Sequence, residues 1–128
     1  MAFPTKKCPC EGGTLTRFIQ PVILTMLAGG DDHGYSILLK ISTSLLWKDS
    51  KPDASGLYRT LKDMEERGLV TSYLDTTNTR NIGKRVFSIT EAGLECMFKW
   101  ETTLREYQEG IDEIINNIKL TRIKGKRN

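Results

Sequence analysis

Apolar residues near the C-terminus recur at alternating spacings of three and four, and this pattern constrains the fold more than any other feature. Seven residues form the series: Met97, Trp100, Leu104, Tyr107, Ile111, Ile114 and Ile118. Such spacing places one apolar seam along a single helix for three heptads. Thr90 and Glu91 suit its start, and we predict its end near Lys119. Because the small remainder of the chain can cover only part of the seam, we predict a homodimer in which these seven residues face a second copy.

The length and composition fit one compact, water-exposed domain. The chain has 128 residues, 38% hydrophobic and 27% charged, which is too apolar for wholesale disorder. Its longest apolar run, residues 21–30, is too short to span a membrane, and residues 1–13 lack the apolar segment of a secretory signal. We therefore expect a cytoplasmic protein without a membrane partner. A single histidine and the lack of any Ser/His/Asp, metal or phosphate-loop pattern argue against an enzyme, and no cofactor is predicted.

Residues 1–13 are predicted to form a flexible arm that contains Cys8 and Cys10, separated by a proline. A closed zinc site needs four ligands, and only Cys96 and His33 remain as further candidates of suitable chemistry. A structural zinc and a pair of free thiols are both open interpretations. We favour the thiols and predict no metal site.

Two amphipathic helices are predicted in the first part of the chain. The first covers about residues 15–28, and Pro21 either kinks it or marks the start of its regular part. The second covers about residues 33–46, after a turn in which Asp31 or Asp32 caps it. The predicted buried faces are Ile19, Val22, Ile23, Met26 and Leu27 in the first helix, and Tyr35, Leu38, Leu39 and either Leu45 or Leu46 in the second.

The stretch PDASGLYRTLKDMEERGLV, residues 52–70, predicts a third helix with two distinct faces. Asp53 is placed to cap its start, and Gly68 suits the left-handed residue that ends a helix. Three residues at helical spacing form a buried stripe: Leu57, Leu61 and Met64. The opposite face carries polar and basic side chains: Ser55, Tyr58, Arg59 and Lys62.

Two β-branched segments, residues 69–74 and 85–89, are predicted to form an antiparallel hairpin, with Phe87 and Ile89 on one face. Its connection, residues 75–84, is long and polar, as in a wing. The fold predicted from this order is mostly α with a small β-hairpin. We expect an arm over residues 1–13, a winged helix-turn-helix domain over 14–90, a dimerisation helix over 91–119 and a basic tail over 120–128.

The net charge of +3 is unevenly distributed along the chain. Residues 119–128 carry five basic residues and no acidic one, whereas the rest has a net charge of −2. A basic tail beside a near-neutral body favours local contact with a polyanion. A solvated, frayed terminus explains the same pattern, and both interpretations remain open.

The third helix of a winged helix-turn-helix enters the major groove of double-stranded DNA. The hydroxyl groups of Ser55 and Tyr58 can reach phosphates, and Arg59 can bind a guanine through two parallel hydrogen bonds. Cations on the wing are attracted to narrow minor grooves. Six residues are predicted to contact DNA: Ser55, Tyr58, Arg59, Lys62, Arg80 and Lys84.

Two other interpretations of the same surface remain open. The third helix also carries acidic residues in its C-terminal half, so its charges can form the i,i+4 pairs of an ordinary solvated helix. A winged helix can also act as a protein–protein interaction module without binding DNA. A steep dependence of binding on salt would distinguish DNA binding from that alternative.

The chain resembles PadR-family transcriptional regulators in three segments: TRFIQPVILTMLAGGDDHGYSILLKI, SGLYRTLKDMEERGLV and RVFSITEAG. Together they cover about residues 14–100, and the single last helix resembles the shorter subgroup of the family. The resemblance implies dimerisation through that helix, a palindromic operator and, in most members, repression. Arg59 departs from the pattern, because members often have proline after Leu-Tyr.

Some PadR regulators hold a small planar aromatic ligand between their dimer helices, with a tryptophan as stacking surface. The resemblance implies this effector role for Trp100. An aromatic residue at helical spacing is more often packed in a core or interface, which is the plainer interpretation of the same side chain. His33 resembles the family's His-Gly-Tyr motif, and we interpret it as a capping and packing residue.

Overall fold

The computed structural model describes residues 16–47, 53–76 and 84–125. Its elements in chain order are a 3-10 turn (Thr16–Phe18), α1 (Ile19–Ala28), β1 (Asp32–His33), α2 (Gly34–Ile41), a second 3-10 turn (Leu45–Trp47), α3 (Ala54–Glu66), β2 (Val70–Leu74), β3 (Arg85–Ile89) and α4 (Glu91–Gly125). The predicted class, mostly helical with a small antiparallel sheet and a long last helix, is confirmed. The predicted arm with Cys8 and Cys10, and Arg80, lie outside the described residues.

The core lies between the first three helices and the sheet. The largest fully buried side chains among the described residues lie there: Ile23, Leu24, Leu27, Ile37, Ile41, Leu57, Leu61, Met64 and Val70. The predicted stripe on α3 is thus confirmed in all three positions. Burying an aliphatic side chain of this size contributes about 1.5–3 kcal/mol, so this stripe alone fixes the rotation of α3 about its axis.

The predicted end residues of α3 and the predicted cap of α4 form as expected. The Gly56 N–H donates to Asp53 Oδ1 at 3.0 Å at the start of α3. Gly68 has a φ of 78° after its end, and the Leu69 N–H returns to the Met64 carbonyl at 2.9 Å. The Thr90 hydroxyl accepts from the Gly93 N–H at 3.0 Å and donates to the Gly68 carbonyl at 2.6 Å.

Two alternatives were predicted for Pro21, a kink or the start of the regular helix, and the second is observed. Pro21 is the third residue of α1, which is regular. The first N–H groups of a helix have no partner within the helix, so proline is tolerated there. The buried face differs from the prediction in one respect. Leu24 is fully buried, whereas Val22 and Met26 only pack against the core's edge. α1 contacts α2, α3, α4 and β3, and this broad contact shifts the buried arc.

The second helix is shorter than predicted, because α2 ends at Ile41. The hydroxyl of Ser42 donates to the Leu39 carbonyl at 2.6 Å, and that of Thr43 to the Lys40 carbonyl at 2.7 Å. Such local bonds compete with helix propagation. The chain continues into the separate 3-10 turn Leu45–Trp47, in which Trp47 is buried.

The buried face of α2 was predicted wrongly except for Leu38. Tyr35, Leu39, Leu45 and Leu46 are exposed, and the buried residues are Ile37, Leu38, Ile41 and Trp47. The prediction of Asp31 or Asp32 as the cap is also wrong, because His33 occupies that position and Asp32 belongs to a strand. Apolar residues occur on both faces of this segment. Because the helix was predicted to run to residue 46, the apolar spacing over that longer range indicated the wrong face as buried.

The sheet has three antiparallel strands in the order β1-β3-β2. The predicted hairpin is confirmed, and it pairs Val70 with Ile89 and Leu74 with Arg85 at its two ends. The strand β1 was missed. Its pairing of Asp32 with Phe87 and of His33 with Val86 joins the start of α2 directly to the hairpin. A strand of two residues has no detectable periodicity, which explains the omission.

The last helix extends to Gly125, beyond the predicted end near Lys119, so it includes most of the segment predicted as a basic tail. Arg122 and Lys124 in the last turn complement the negative end of the helix dipole. Met97 and Trp100 at the start of the seam pack against the core. From Tyr107 onward the apolar side chains of α4 are exposed in the protomer. None of the helices in the described parts of the chain is long and apolar enough to span a bilayer.

We predict that Gly93→Ala destabilises the protein by about 1–3 kcal/mol. A Cβ at Gly93 would collide with the Leu69 carbonyl oxygen and would lie 2.7 Å from Ile89 Cγ1. Neither the backbone of Leu69 nor the start of α4 can move without disturbing the Thr90 cap. Urea unfolding followed by circular dichroism at one protein concentration measures the effect.

The matched control is Gly110→Ala, in the same helix, where an added Cβ meets nothing within 4 Å. Alanine is the better helix former by up to about 1 kcal/mol, so this variant should be as stable as the parent or more so. Equal unfolding midpoints for the two variants would contradict the close approach at Gly93.

Candidate nucleic-acid interface

The N-terminal half of α3 presents a polar and basic face away from the core. Ser55, Tyr58, Arg59 and Lys62 are all exposed, whereas Leu57, between them in sequence, is fully buried. The first turn of α3 carries no acidic residue. The structure therefore brings the four predicted residues of this helix to one surface.

Two cations on this face have no partner among the described residues, unlike the arginine at the other end of the same helix. Within the described residues, Arg59 and Lys62 form no ion pair or hydrogen bond through their side chains. At the C-terminal end of the same helix, Arg67 Nε lies 2.8 Å from Asp63 Oδ2. The i,i+4 pairing of a solvated helix thus applies to the end of α3 but not to its first half, whose cations remain available to an anionic partner.

Tyr58 has a structural contact in addition to its exposed surface. A Cβ at Gly34 would lie 2.5 Å from Tyr58 Cε1 and 2.7 Å from its hydroxyl oxygen, so the ring lies directly over the first residue of α2. Gly34 therefore permits the close approach of α2 and α3. Tyr58 remains 46% exposed, and its hydroxyl lies at the junction of the two helices.

Gly56 makes room for the capping carboxylate of Asp53. A Cβ at Gly56 would lie 2.5 Å from Asp53 Oδ1, closer than any other neighbour. The cap and the glycine act together to start α3 at Ala54 and thus to set where its exposed face begins.

Only part of the predicted wing can be placed. Lys84 is exposed immediately before β3, and its carbonyl accepts a hydrogen bond from the Asp75 N–H at 2.9 Å. The hairpin is therefore closed at this pair, with Lys84 at the base of the connection. Arg85, the next residue, donates to Ser72 Oγ at 2.9 Å. Arg80 lies between residues 76 and 84, outside the described part.

Asp32 organises the entry into α2, a role that the sequence prediction missed. Its carboxylate accepts hydrogen bonds from Lys40 Nζ at 2.6 Å, from Ser36 Oγ at 3.0 Å and from the His33 N–H at 2.9 Å. Partial burial alone would raise the pKa of Asp32, but the bonds from Lys40, His33 and Ser36 outweigh it and lower that pKa. The spacing of Asp32, Ser36 and Lys40 by four residues was the available signal.

The junction of α1 and α4 contains the residue predicted to stack on an effector. Trp100 Nε1 donates to Gln20 Oε1 at 2.8 Å, and the ring packs edge-on against Phe18 at 6.3 Å. The ring of Tyr107 stacks on the ring of Phe18, with the two ring centroids 5.8 Å apart. Trp100 is thus partly buried within its own protomer, beside exposed aromatic surface.

Within the described residues no three His, Cys, Asp or Glu side chains come together in a way that could hold a metal ion. Cys96 is a free thiol whose Sγ lies 3.7 Å from Gln20 Oε1. It is far along the chain from Cys8 and Cys10, for which no position is described. The zinc interpretation therefore gains no support from the described residues.

A family model for the transcriptional regulator PadR-like family matches residues 23–98, from within α1 to the first turns of α4. This segment includes α2, α3 and all three strands. Comparison with curated proteins gives no match.

Solved structures share the architecture. The transcriptional regulator TA0346 from Thermoplasma acidophilum is 26% identical, with a TM-score of 0.69 over 80% of this chain and 94% of that chain. The protein smu.1704 from Streptococcus mutans is 21% identical, with a TM-score of 0.66 over 91% of this chain and 94% of that chain. PadR from Bacillus subtilis, in complex with operator DNA, is 24% identical, with a TM-score of 0.56 over 66% of this chain and 47% of that chain.

Proposed function

This chain belongs to the PadR-like family of transcriptional regulators, and from that premise we propose that it acts by binding double-stranded DNA in a sequence-specific manner. The observation that supports this most is the exposed first half of α3, where Arg59 and Lys62 have no partner among the described residues. The similar fold of Bacillus subtilis PadR, whose structure is in complex with operator DNA, supports the same proposal. A protein that binds chromosomal DNA would work in the cytoplasm.

Each residue of this face has a distinct proposed contact. Arg59 offers the planar fork that binds a guanine edge, and Lys62 offers a flexible charge for a phosphate. Ser55 and the Tyr58 hydroxyl, at the junction of α2 and α3, would donate to phosphates flanking the groove. Arg80 and Lys84 would follow the adjacent minor groove from the wing.

We propose that two copies associate through α4. The side chains of Ile111, Ile114 and Ile118 form one stripe on a helix that extends beyond the body, and all three are exposed in the protomer. An exposed apolar stripe of this length is unfavourable in water and is typical of an interface. Met97, Trp100, Leu104 and Tyr107 would flank the interface where α4 meets α1.

A two-fold dimer would present two copies of α3 related by symmetry, and a palindromic operator would match them. The resemblance to the shorter PadR subgroup suggests repression. The amounts of transcripts from genes next to the bound sites should then rise when the gene for this chain is deleted. A fall in these transcripts would indicate activation instead of repression.

We also propose that a small planar aromatic molecule acts as effector beside Trp100. The partly buried indole, with Phe18 and Tyr107 nearby, offers aromatic surface at the position where the second copy would approach. A ligand stacked there would contact both protomers and could change the separation of the two α3 helices.

The DNA-binding face predicts a specific salt dependence. Duplexes selected from genomic DNA by the parent protein serve as probes, and affinity is measured by fluorescence anisotropy over a range of salt concentrations. Arg59→Ala and Lys62→Ala should each weaken binding. Lys62→Ala should also reduce the slope of log K against log salt by about 1 for its lost phosphate contact, whereas Arg59→Ala should chiefly relax the preference for the selected sequence.

The control for this experiment is Arg67→Ala, which removes a cation from the same helix that already pairs with Asp63. Its slope should match that of the parent. A shallow slope for the parent, or equal losses in all three variants, would favour the protein–protein interaction module instead.

The dimer proposal predicts different effects for substitutions at one isoleucine and one leucine of α4 that are equally exposed. Ile114 and Leu120 are both 59% exposed, but only Ile114 lies on the seam. Ile114→Asp should produce monomers in light scattering, because a charge would be buried without a partner. Leu120→Asp should leave the dimer intact, and a monomeric parent would remove the basis of the proposal.

The effector proposal can be tested by tryptophan fluorescence because the two tryptophans differ in access. Trp47 is only 3% exposed, so a soluble quencher should reach Trp100 alone. Titration with ethidium, as a planar aromatic probe, should quench the parent saturably and leave Trp100→Phe unchanged. Equal quenching in the parent and the variant would place the ligand elsewhere.

A further inference from the structure

Apolar burial anchors only one half of the β2–β3 hairpin. Val70 at the start of β2 and Phe87 in β3 are buried in the core, and β1 pairs with β3 at the same end. The outer half of the hairpin, residues 72–74 and 84–85, leads to the connection of the wing. There Leu74 and its partner Arg85 are exposed. The direction of the outer half relative to α3 therefore depends on polar contacts.

Ser72 connects the outer half to α3 through a charged bridge. Its hydroxyl donates to Glu65 Oε2 at 2.9 Å and accepts from Arg85 Nη1 at 2.9 Å. Glu65 lies near the end of α3, whereas Ser72 belongs to β2 and Arg85 to β3, so one hydroxyl joins three elements. Both bonds are charge-assisted, because one acceptor is a carboxylate and one donor is a guanidinium. Such bonds are stronger than those between neutral groups.

Tyr73, the next residue of β2, makes a second connection on the other face of the sheet, since successive side chains of a strand point to opposite faces. Its hydroxyl donates to Asp31 Oδ2 at 3.2 Å, and Asp31 directly precedes β1. The outer half is thus connected to α3 on one face and to the segment that leads into α2 on the other. Because the Tyr73 bond is longer than a strong charge-assisted one, we expect Ser72 to have the larger effect.

The two connections are suited to orient the hairpin and contribute little to folding stability. All three hydrogen bonds lie on exposed groups, where water competes for the same donors and acceptors. The core packs in the same way whether or not they form. Their loss should leave the domain folded and allow the outer half to swing about its buried end.

We propose that the hydroxyls of Ser72 and Tyr73 are positioning groups that hold the wing at a fixed angle to α3, so that Lys84 meets DNA already in place. Lys84 is exposed next to Arg85, at the start of the connection. A contact made by an element that is already oriented loses less conformational entropy on binding than one made by a mobile element. The part that concerns DNA rests on the proposed function. The angle itself is a property of the DNA-free protein.

The proposal predicts that the two hydroxyls act through Lys84 and not through Arg59. Arg59 is placed by the buried stripe of α3, which is independent of the hairpin's outer half. In a mobile wing, the gain from the Lys84 contact is partly offset by the cost of ordering the hairpin, so replacing Lys84 should cost less affinity. A general structural role of the hydroxyls would weaken both contacts alike.

The angle of the wing is measured first without DNA. Residual dipolar couplings of backbone N–H groups report the orientation of α3 and of the outer half of the hairpin. In the parent, one alignment should fit both segments. In the variant that combines Ser72→Ala with Tyr73→Phe, the couplings of the outer half should be reduced by motion, while those of α3 stay unchanged.

The Arg85 side chain provides an internal comparison in the parent protein. By ¹⁵N relaxation of arginine Nε–H groups, Arg85 should be as ordered as Arg67, which is bonded to Asp63, and more ordered than Arg59. Ser72→Ala should lower the order of Arg85 to that of Arg59. A mobile Arg85 in the parent, or an unchanged one in Ser72→Ala, would overturn the bridge.

Affinity for the selected duplex is then measured by fluorescence anisotropy in three backgrounds: the parent, Lys84→Ala and Arg59→Ala. Removing both hydroxyls should weaken binding by the parent about threefold to tenfold. The loss should be at least about twofold smaller in Lys84→Ala and unchanged in Arg59→Ala. Equal losses in the two backgrounds, or no loss in the parent, would contradict the positioning role.

The matched control is Thr71→Ala, which removes a hydroxyl of the same strand. Thr71 is exposed, and its hydroxyl has no hydrogen bond among the described residues. This variant should bind DNA as the parent does, and a loss as large as that of Ser72→Ala would overturn the inference. A fall of about tenfold or more in the unfolding equilibrium of the hydroxyl variants would do the same, because the hydroxyls would then support the fold in general. If no protein binds DNA, the proposed function fails, while the dipolar couplings and the Arg85 data still decide the angle.

Discussion

The structure depends first on the burial of the apolar stripe on α3. Leu57, Leu61 and Met64 have no exposed surface, and each loses the free energy of its burial if the helix rotates about its axis. That constraint directs the opposite face, with Arg59 and Lys62, toward solvent. The position of the candidate interface is therefore a consequence of core packing. The Asp53 cap fixes where the helix begins, and the contact of Tyr58 with Gly34 fixes its separation from α2.

Much of this arrangement could be predicted from sequence because it follows from local rules. The stripe on α3, its two end residues, the hairpin and the start of the last helix each have a periodic or capping signal within a few residues. Predictions failed where tertiary contacts decide between alternatives. The face of α2 was wrong because apolar residues occur on both of its sides, and only packing selects Ile37 over Tyr35. The strand β1 was missed because two residues carry no period, and its identity depends on a partner strand far along the chain.

The candidate site also has a part that could be predicted from sequence and a part that could not. The exposed residues of α3 could be identified because a buried stripe defines the opposite face. The group around Asp32 and His33 could not, since it combines residues from β1, α2 and the end of β2 that are adjacent only in the folded chain. The seam of α4 illustrates an intermediate case. Its heptad spacing was evident, but the division into a part packed on the body and a part exposed in the protomer depends on where α1 begins, because Phe18 and Gln20 there contact α4.

The hydroxyl of Thr90 has a consequence for operator geometry in the proposed dimer. It joins the carbonyl that follows α3 to the first turn of α4, and Gly93 brings α4 into contact with the same segment of backbone. The joint between α3 and α4 is thus short and has few rotatable bonds. A stiff joint converts a small change in the crossing angle of the two α4 helices into a larger displacement of the distant α3 helices. Such a protein would tolerate little variation in the number of base pairs between half-sites.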